Sequence, residues 1–152
     1  MISTDRQLKV MEEKLRHAQK SVKDTTGIER EVLHDLVEEM ELEIAEYRKI
    51  QKGEETIFTV SGVPDLAIAL IKARIAKGWT QAELARQLDK QEQAVQRDEA
   101  GGYERATLTR LADVADALGY RLRGVLEPAQ PREPLDISDL GLPNAPSGPG
   151  EK

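Results

Sequence analysis

The chain of 152 residues has no cysteine, one tryptophan, one phenylalanine and three tyrosines. Without cysteine there can be no disulfide, no thiolate metal ligand and no thiol nucleophile, and a reducing cytosol is the natural compartment. So few aromatics argue against an aromatic-rich β-sandwich, and a charged fraction of 33% is typical of exposed helices, so the class expectation is all-α. Long apolar runs are missing too. No stretch approaches the ~20 residues of a membrane span, and the opening MISTDRQLKVMEEKLRHAQK carries acids where a signal peptide needs an apolar core. A soluble, cytoplasmic chain without membrane contact is expected.

Positive charge is also short: 22 Lys and Arg face 28 Asp and Glu, for a net charge of −6. That balance would discourage phosphate binding if it were uniform. Residues 1–62 hold 10 basic and 14 acidic groups, residues 63–124 hold 10 and 9, and residues 125–152 hold 2 and 5. The middle third is the least hostile to nucleic acid.

Apolar residues at Leu8, Met11, Leu15, Ala18 and Val22 alternate steps of three and four, which predicts a helix with a narrow seam. Asp24-Thr25-Thr26-Gly27 interrupts it, and a second seam follows at Leu33, Val37, Met40, Ile44 and Tyr47, widened by Ile28, Val32 and Leu36. Residues 1–53 thus read as a helical hairpin or coiled-coil arm for oligomerisation or partner binding, with residues 64–127 expected to fold without it. His17 and His34 lack a second set of ligands in this reading, so no metal and no cofactor is expected.

Residues 54–63 form an extended linker or short strand, because Thr56-Ile57-Phe58-Thr59-Val60 is β-branched and aromatic between glycines and Pro64. A second short strand over 120–126 could pair with the first or with its counterpart in a dimer. Residues 128–152 hold six of the seven prolines with few apolar residues, which predicts a disordered tail.

The informative pattern lies between residues 64 and 119. Pro64 opens a helix that Gly78 closes. Thr80 and Glu83 then have the spacing of a capping box, with Trp79 against Leu84 as its hydrophobic staple. The helix that starts there runs to about Leu88, and after a polar turn Gln91 to Arg97 forms another, rich in long amides. Leu108, Leu111, Val114, Ala115 and Leu118 mark one more, closed by Gly119.

Two short helices at a tight turn between longer ones make a helix-turn-helix, whose second member lies in the major groove. Such a helix keeps an apolar side inward, here Ala94 and Val95, and projects forked groups outward. Gln matches adenine N6 and N7, and Arg matches guanine O6 and N7. The candidate DNA-binding residues are Thr80, Gln81, Lys90, Gln91, Glu92, Gln93, Gln96 and Arg97. Thr80 and Gln81 offer a helix N-terminus to phosphate, and Glu92 can accept from cytosine N4. The partner expected is double-stranded DNA, bound by a homodimer joined through the arm or the short strands.

Arg74, Gly78-Trp79-Thr80-Gln81-Ala82-Glu83-Leu84-Ala85, Gln96-Arg97-Asp98-Glu99 and Ala115-Asp116-Ala117-Leu118-Gly119 resemble the XRE family of lambda-type repressor domains. The resemblance implies a five-helix bundle that binds DNA as a dimer, and a structural ion pair between Arg74 and Glu99. This sequence departs from the family pattern at Asp89, where glycine commonly closes the turn, and at Asp98, where an apolar or aromatic residue is usual. A charged helix ending in Tyr47 and Gly53-Glu54 before such a domain also resembles HigA-type antitoxins, which implies a toxin partner for residues 1–53. A helix-turn-helix serving only as a protein scaffold is a third option. Catalysis is the least favoured class, as no phosphate-cradling loop, metal cluster or nucleophile set stands in a familiar context.

Overall fold

Helix α1 (Asp5–Asp24) starts where Thr4 accepts a hydrogen bond from the Gln7 N–H while the Gln7 carboxamide oxygen accepts from Ser3. These bonds occupy donors that an uncapped helix end leaves to water. The helix stops at Thr25 and the chain reverses through Gly27, whose φ of +69° suits glycine. Helix α2 (Ile28–Gln51) then returns alongside α1, since Asp5 meets Tyr47 and Gln51, and Gln19 meets Glu41. The hairpin is therefore antiparallel, and the seam residues Leu8, Met11, Leu15, Ala18 and Val22 are those of α1 that its partner helix partly covers.

The computed structural model describes residues 1–125 and Pro128. Beyond the hairpin lie α3 (Val63–Ala76), α4 (Gln81–Gln87), α5 (Glu92–Ala100) and α6 (Leu108–Leu118). Asp65 accepts from the Ser61 N–H ahead of α3, and Pro64 sits in its first turn, where a missing N–H costs nothing. Gly78, at φ +71°, ends α3, and the next N–H, of Trp79, returns to the Arg74 carbonyl.

Leu70, Ile71, Ala73 and Ile75 of α3 meet Leu84 and Ala85 of α4, Val95 of α5, and Leu111, Val114 and Leu118 of α6 in one core. Ile44, Tyr47 and Ile50 of α2 belong to the same cluster, as does Ile2, which is 3% exposed. The arm's root is thus packed into the domain instead of being hinged to it. Burying an aliphatic side chain contributes roughly 1.5–3 kcal/mol, so Ile2, Ile44 and Ile50, with Tyr47 beside them, tie the hairpin firmly to the core.

Two expectations are corrected. Among the described residues there is no strand: 56–60 and 120–125 lie outside the helices and form no backbone ladder. They approach through side chains, the Phe58 and Tyr120 rings stacking at 6.2 Å and 25°. β-Branched composition suits a pleated surface but does not supply a hydrogen-bonding neighbour. The five-helix expectation also changes, because within 63–125 there are four helices and Tyr120 onward is not helical. The expected disordered tail, 128–152, and the end of the expected strand lie outside the described residues apart from Pro128.

Candidate nucleic-acid interface

The turn between α4 and α5 sets the site. Leu88 caps α4, Asp89 takes φ +52°, and the Lys90 N–H returns to the Ala85 carbonyl at 2.9 Å. Aspartate tolerates this left-handed conformation better than most residues, which is why the chain can do without the usual glycine there. Gln91 is then the N-cap of α5, its carbonyl accepting from the Ala94 N–H at 2.9 Å.

Helix α5 divides cleanly by face. Val95, 1% exposed, and Glu99, 6% exposed, point inward one turn apart, while Gln91, Glu92, Gln93, Gln96 and Arg97 are all exposed. Lys90 is exposed beside them. The Gln96 amide donates to Glu92 at 2.8 Å across one turn of helix. Thr80 stands at the start of α4, where its hydroxyl accepts from the Glu83 N–H and the Glu83 carboxylate accepts from the Thr80 N–H at 2.6 Å. The Thr80 N–H, and then the Thr80 hydroxyl, which also donates to that carboxylate at 2.9 Å, hold the Glu83 carboxyl below its usual range. Gln81 sits differently from its neighbour: its amide donates inward to Glu99 at 2.8 Å.

Arg74 and Glu99 meet in a buried fork, with Nε to Oε1 at 2.6 Å and Nη2 to Oε2 at 2.7 Å. Arg74 goes further than a pair. Its Nη1 donates to the Trp79 carbonyl at 2.8 Å and its Nη2 to the Ser3 carbonyl at 2.9 Å. One guanidinium therefore joins α3, the start of α4, the reading helix and the root of the arm. Planar, multidentate donors make arginine suited to this task.

Residues 70–125 match the model of the helix-turn-helix family. The chain carries an XRE-family helix-turn-helix domain. No curated protein and no solved structure matches it.

Within this helix-turn-helix, α4 and α5 are the paired helices, α5 being the second of the two. Asp98, the other departure from the family pattern, accepts from Arg110 of α6 at 3.1 and 3.2 Å, so a charge pair takes the place of an apolar contact between α5 and α6. Lys77 is committed as well, to the Ala117 and Leu118 carbonyls and over the Trp79 ring at 4.1 Å. Lys72 is bound to Glu46 of the arm. The exposed cations of α4, α5 and the turn between them are Arg86, Lys90 and Arg97.

Several residues of this network escape a reading of the sequence. Ser3, Asp5 and Tyr47 border a hollow that also touches Thr80, Gln81 and Glu92, so the arm's root reaches the edge of the interface. Tyr47 donates to Asp5 at 3.0 Å, and burial followed by that carboxylate raises its pKa to about 12. Both histidines are exposed, and His34 lies with Asp35 and Glu38 so that one potential ligand atom of each is within 4.8 Å of the others on α2. Among the described residues no helix is long and apolar enough to cross a membrane.

Proposed function

We propose that the chain is a sequence-specific transcriptional repressor that binds double-stranded DNA as a homodimer and reads the major groove with α5. Gln91, Gln93, Gln96 and Arg97 contact base edges, and Lys90 and the start of α4 at Thr80 and Gln81 lie against phosphates on either side, Gln81 through its backbone N–H because Glu99 holds its amide. Glu92 accepts from a cytosine amino group where the operator offers one, and otherwise lowers affinity for phosphate. The observation that carries this reading is the outward row of forked groups on α5, backed by Val95 and by Glu99 in the grip of Arg74. A helix fixed on its inner side presents those groups without first having to order them.

With three exposed cations on α4, α5 and the turn between them, single-protomer binding is weak and sensitive to salt. Two copies on a two-fold site, one helical turn apart, double the phosphate contacts. Leu108 and Leu122, which are 77% and 54% exposed and line one groove between α3, α6 and the 120–122 segment, offer apolar surface for the second copy. A dimer seated on a promoter excludes other proteins from the same groove, so repression follows without any additional contact.

Purified full chain is to be mixed with fragmented DNA from its own source, its own promoter region included, at two salt concentrations with protomer stoichiometry read on the same complexes. Selective, salt-sensitive binding of an even number of protomers is the expected result. Absence of binding at low salt would overturn the reading.

A second reading is an antitoxin whose residues 1–53 cover a toxin and whose helix-turn-helix autoregulates the pair. What favours it is the arm itself, which extends beyond the core yet touches Arg74 through Ser3.

A further inference from the structure

One stripe runs the length of α2 in steps of three and four: Ile28, Val32, Leu36, Glu39, Glu43, Glu46 and Ile50. Its two halves are treated differently. At the root, Ile50 is 2% exposed in the core, Glu46 binds Lys72 of α3, and Glu43 binds the N-terminal ammonium of Met1 at 2.8 Å. Toward the hairpin tip the same stripe is bare among the described residues, with Ile28 80%, Val32 62% and Leu36 40% exposed and with Asp35 and Glu39 exposed beside them.

Where the stripe is covered, it takes cations and aliphatic side chains together. We infer that the bare half does the same with a separate protein: the tip of α2 is a docking surface for a partner that presents lysine or arginine interleaved with aliphatic residues on one helical face. Residues 28–47 carry Glu29, Glu31, Asp35, Glu38, Glu39, Glu41, Glu43 and Glu46 against Arg30 alone. A second copy laid on this stripe would set carboxylates against carboxylates, which is repulsive. The chain's own residues 125–152, with 2 basic and 5 acidic groups, are no better matched. Nucleic acid is repelled outright. A cationic partner gains both burial of three large aliphatic side chains and pairing with the acids around them. The inference concerns this surface alone and holds for a repressor or an antitoxin.

The test uses isotope-labelled full chain and a synthetic helical peptide of about three heptads, with leucine at the two apolar positions and lysine flanking them. Calorimetric titration and amide shifts should report saturable binding centred on residues 28–39. The Val32→Ser/Leu36→Ser variant, altered only at exposed positions, should bind about tenfold more weakly or worse while keeping its helical content and its DNA binding. A glutamate-for-lysine peptide should not bind. Three results would each overturn the proposal: equal affinity for a scrambled peptide of the same charge, shifts confined to other residues, or a self-associated chain that the double substitution turns monomeric. DNA binding measured on the same preparations reports separately on the repressor reading.

Discussion

Substitution of Glu99 by alanine tests the part of the site on which the reading helix depends. The change removes two charge-assisted bonds, at 2.6 and 2.7 Å, and leaves the Arg74 guanidinium buried with only the Trp79 and Ser3 carbonyls. An uncompensated charge of this kind costs roughly 3–5 kcal/mol. Arg74→Met should cost at least as much, since it strands the carboxylate with Gln81 as its remaining donor and gives up two carbonyl bonds worth about 1 kcal/mol each. The double variant Arg74→Met/Glu99→Leu carries neither charge, so its cost should fall to about 1–3 kcal/mol, reflecting the carbonyl and Gln81 bonds. Urea unfolding of all four proteins at neutral pH, fitted with a common slope, gives the cycle directly. A typical domain has only about 5–15 kcal/mol in all, so the single variants should stand near the edge of folding. Singles that each cost under about 1 kcal/mol, or a double as unstable as their sum, would refute the account of Arg74 as a buried hub.

Other consequences can be read more briefly. Gln93→Ala or Arg97→Ala should lose about 1–3 kcal/mol on the operator and little on random DNA, measured by titration at fixed salt; equal losses on both would remove base reading from these residues. Glu92→Gln takes away a carboxylate at the exposed start of α5 while its carboxamide oxygen can still accept from Gln96, so affinity for duplexes that offer no cytosine there should rise, most at low salt. No gain on duplexes without that cytosine would place Glu92 away from the DNA. Tyr47→Phe should cost about 1 kcal/mol at neutral pH through the lost bond to Asp5. Because the folded-state pKa of Tyr47 is raised from its ordinary value of 10.0 to about 12, its contribution is complete below pH 10 and disappears as pH climbs through 12. The phenylalanine variant should therefore lose less stability than the parent across that alkaline interval, and parallel curves would contradict the assignment. Asp89→Val should cost about 1–2 kcal/mol because a β-branched side chain resists φ +52°, with Asp89→Gly close to neutral in the same denaturation assay.

How much of this could be read from the sequence depends on how local each signal is. The capping box of Thr80 and Glu83, the seam of α1, the stop at Gly78 and the inward placing of Val95 each rest on residues within a turn or two of one another, and all are legible. The exposed row on α5 is legible for the same reason. Its far end is less so: α5 extends to Ala100 where the amide-rich pattern suggests Arg97, because Glu99 and Asp98 are held by Arg74 and Arg110 from other helices. Chain segments 56–60 and 120–125 carry strand-like residues, but a strand exists only by pairing, and among the described residues Phe58 and Tyr120 meet ring to ring without a ladder.

The least legible feature is also the one with the largest consequence for function. Nothing in the local pattern of Met1-Ile2-Ser3 suggests that Ile2 enters the core or that the Ser3 carbonyl accepts from the arginine that grips α5. The second is a contact across 71 residues of chain, and a carbonyl has no side-chain identity for a pattern to find. Their effect is to place the N-terminus, the root of the hairpin and the reading helix around one guanidinium. A force on the arm that shifts Ser3 acts on Arg74, and through two short bonds on Glu99, at the inner face of the helix that carries Gln93, Gln96 and Arg97. Coupling between two sites requires that each ligand change a shared element, and Arg74 is the element that the arm and α5 share.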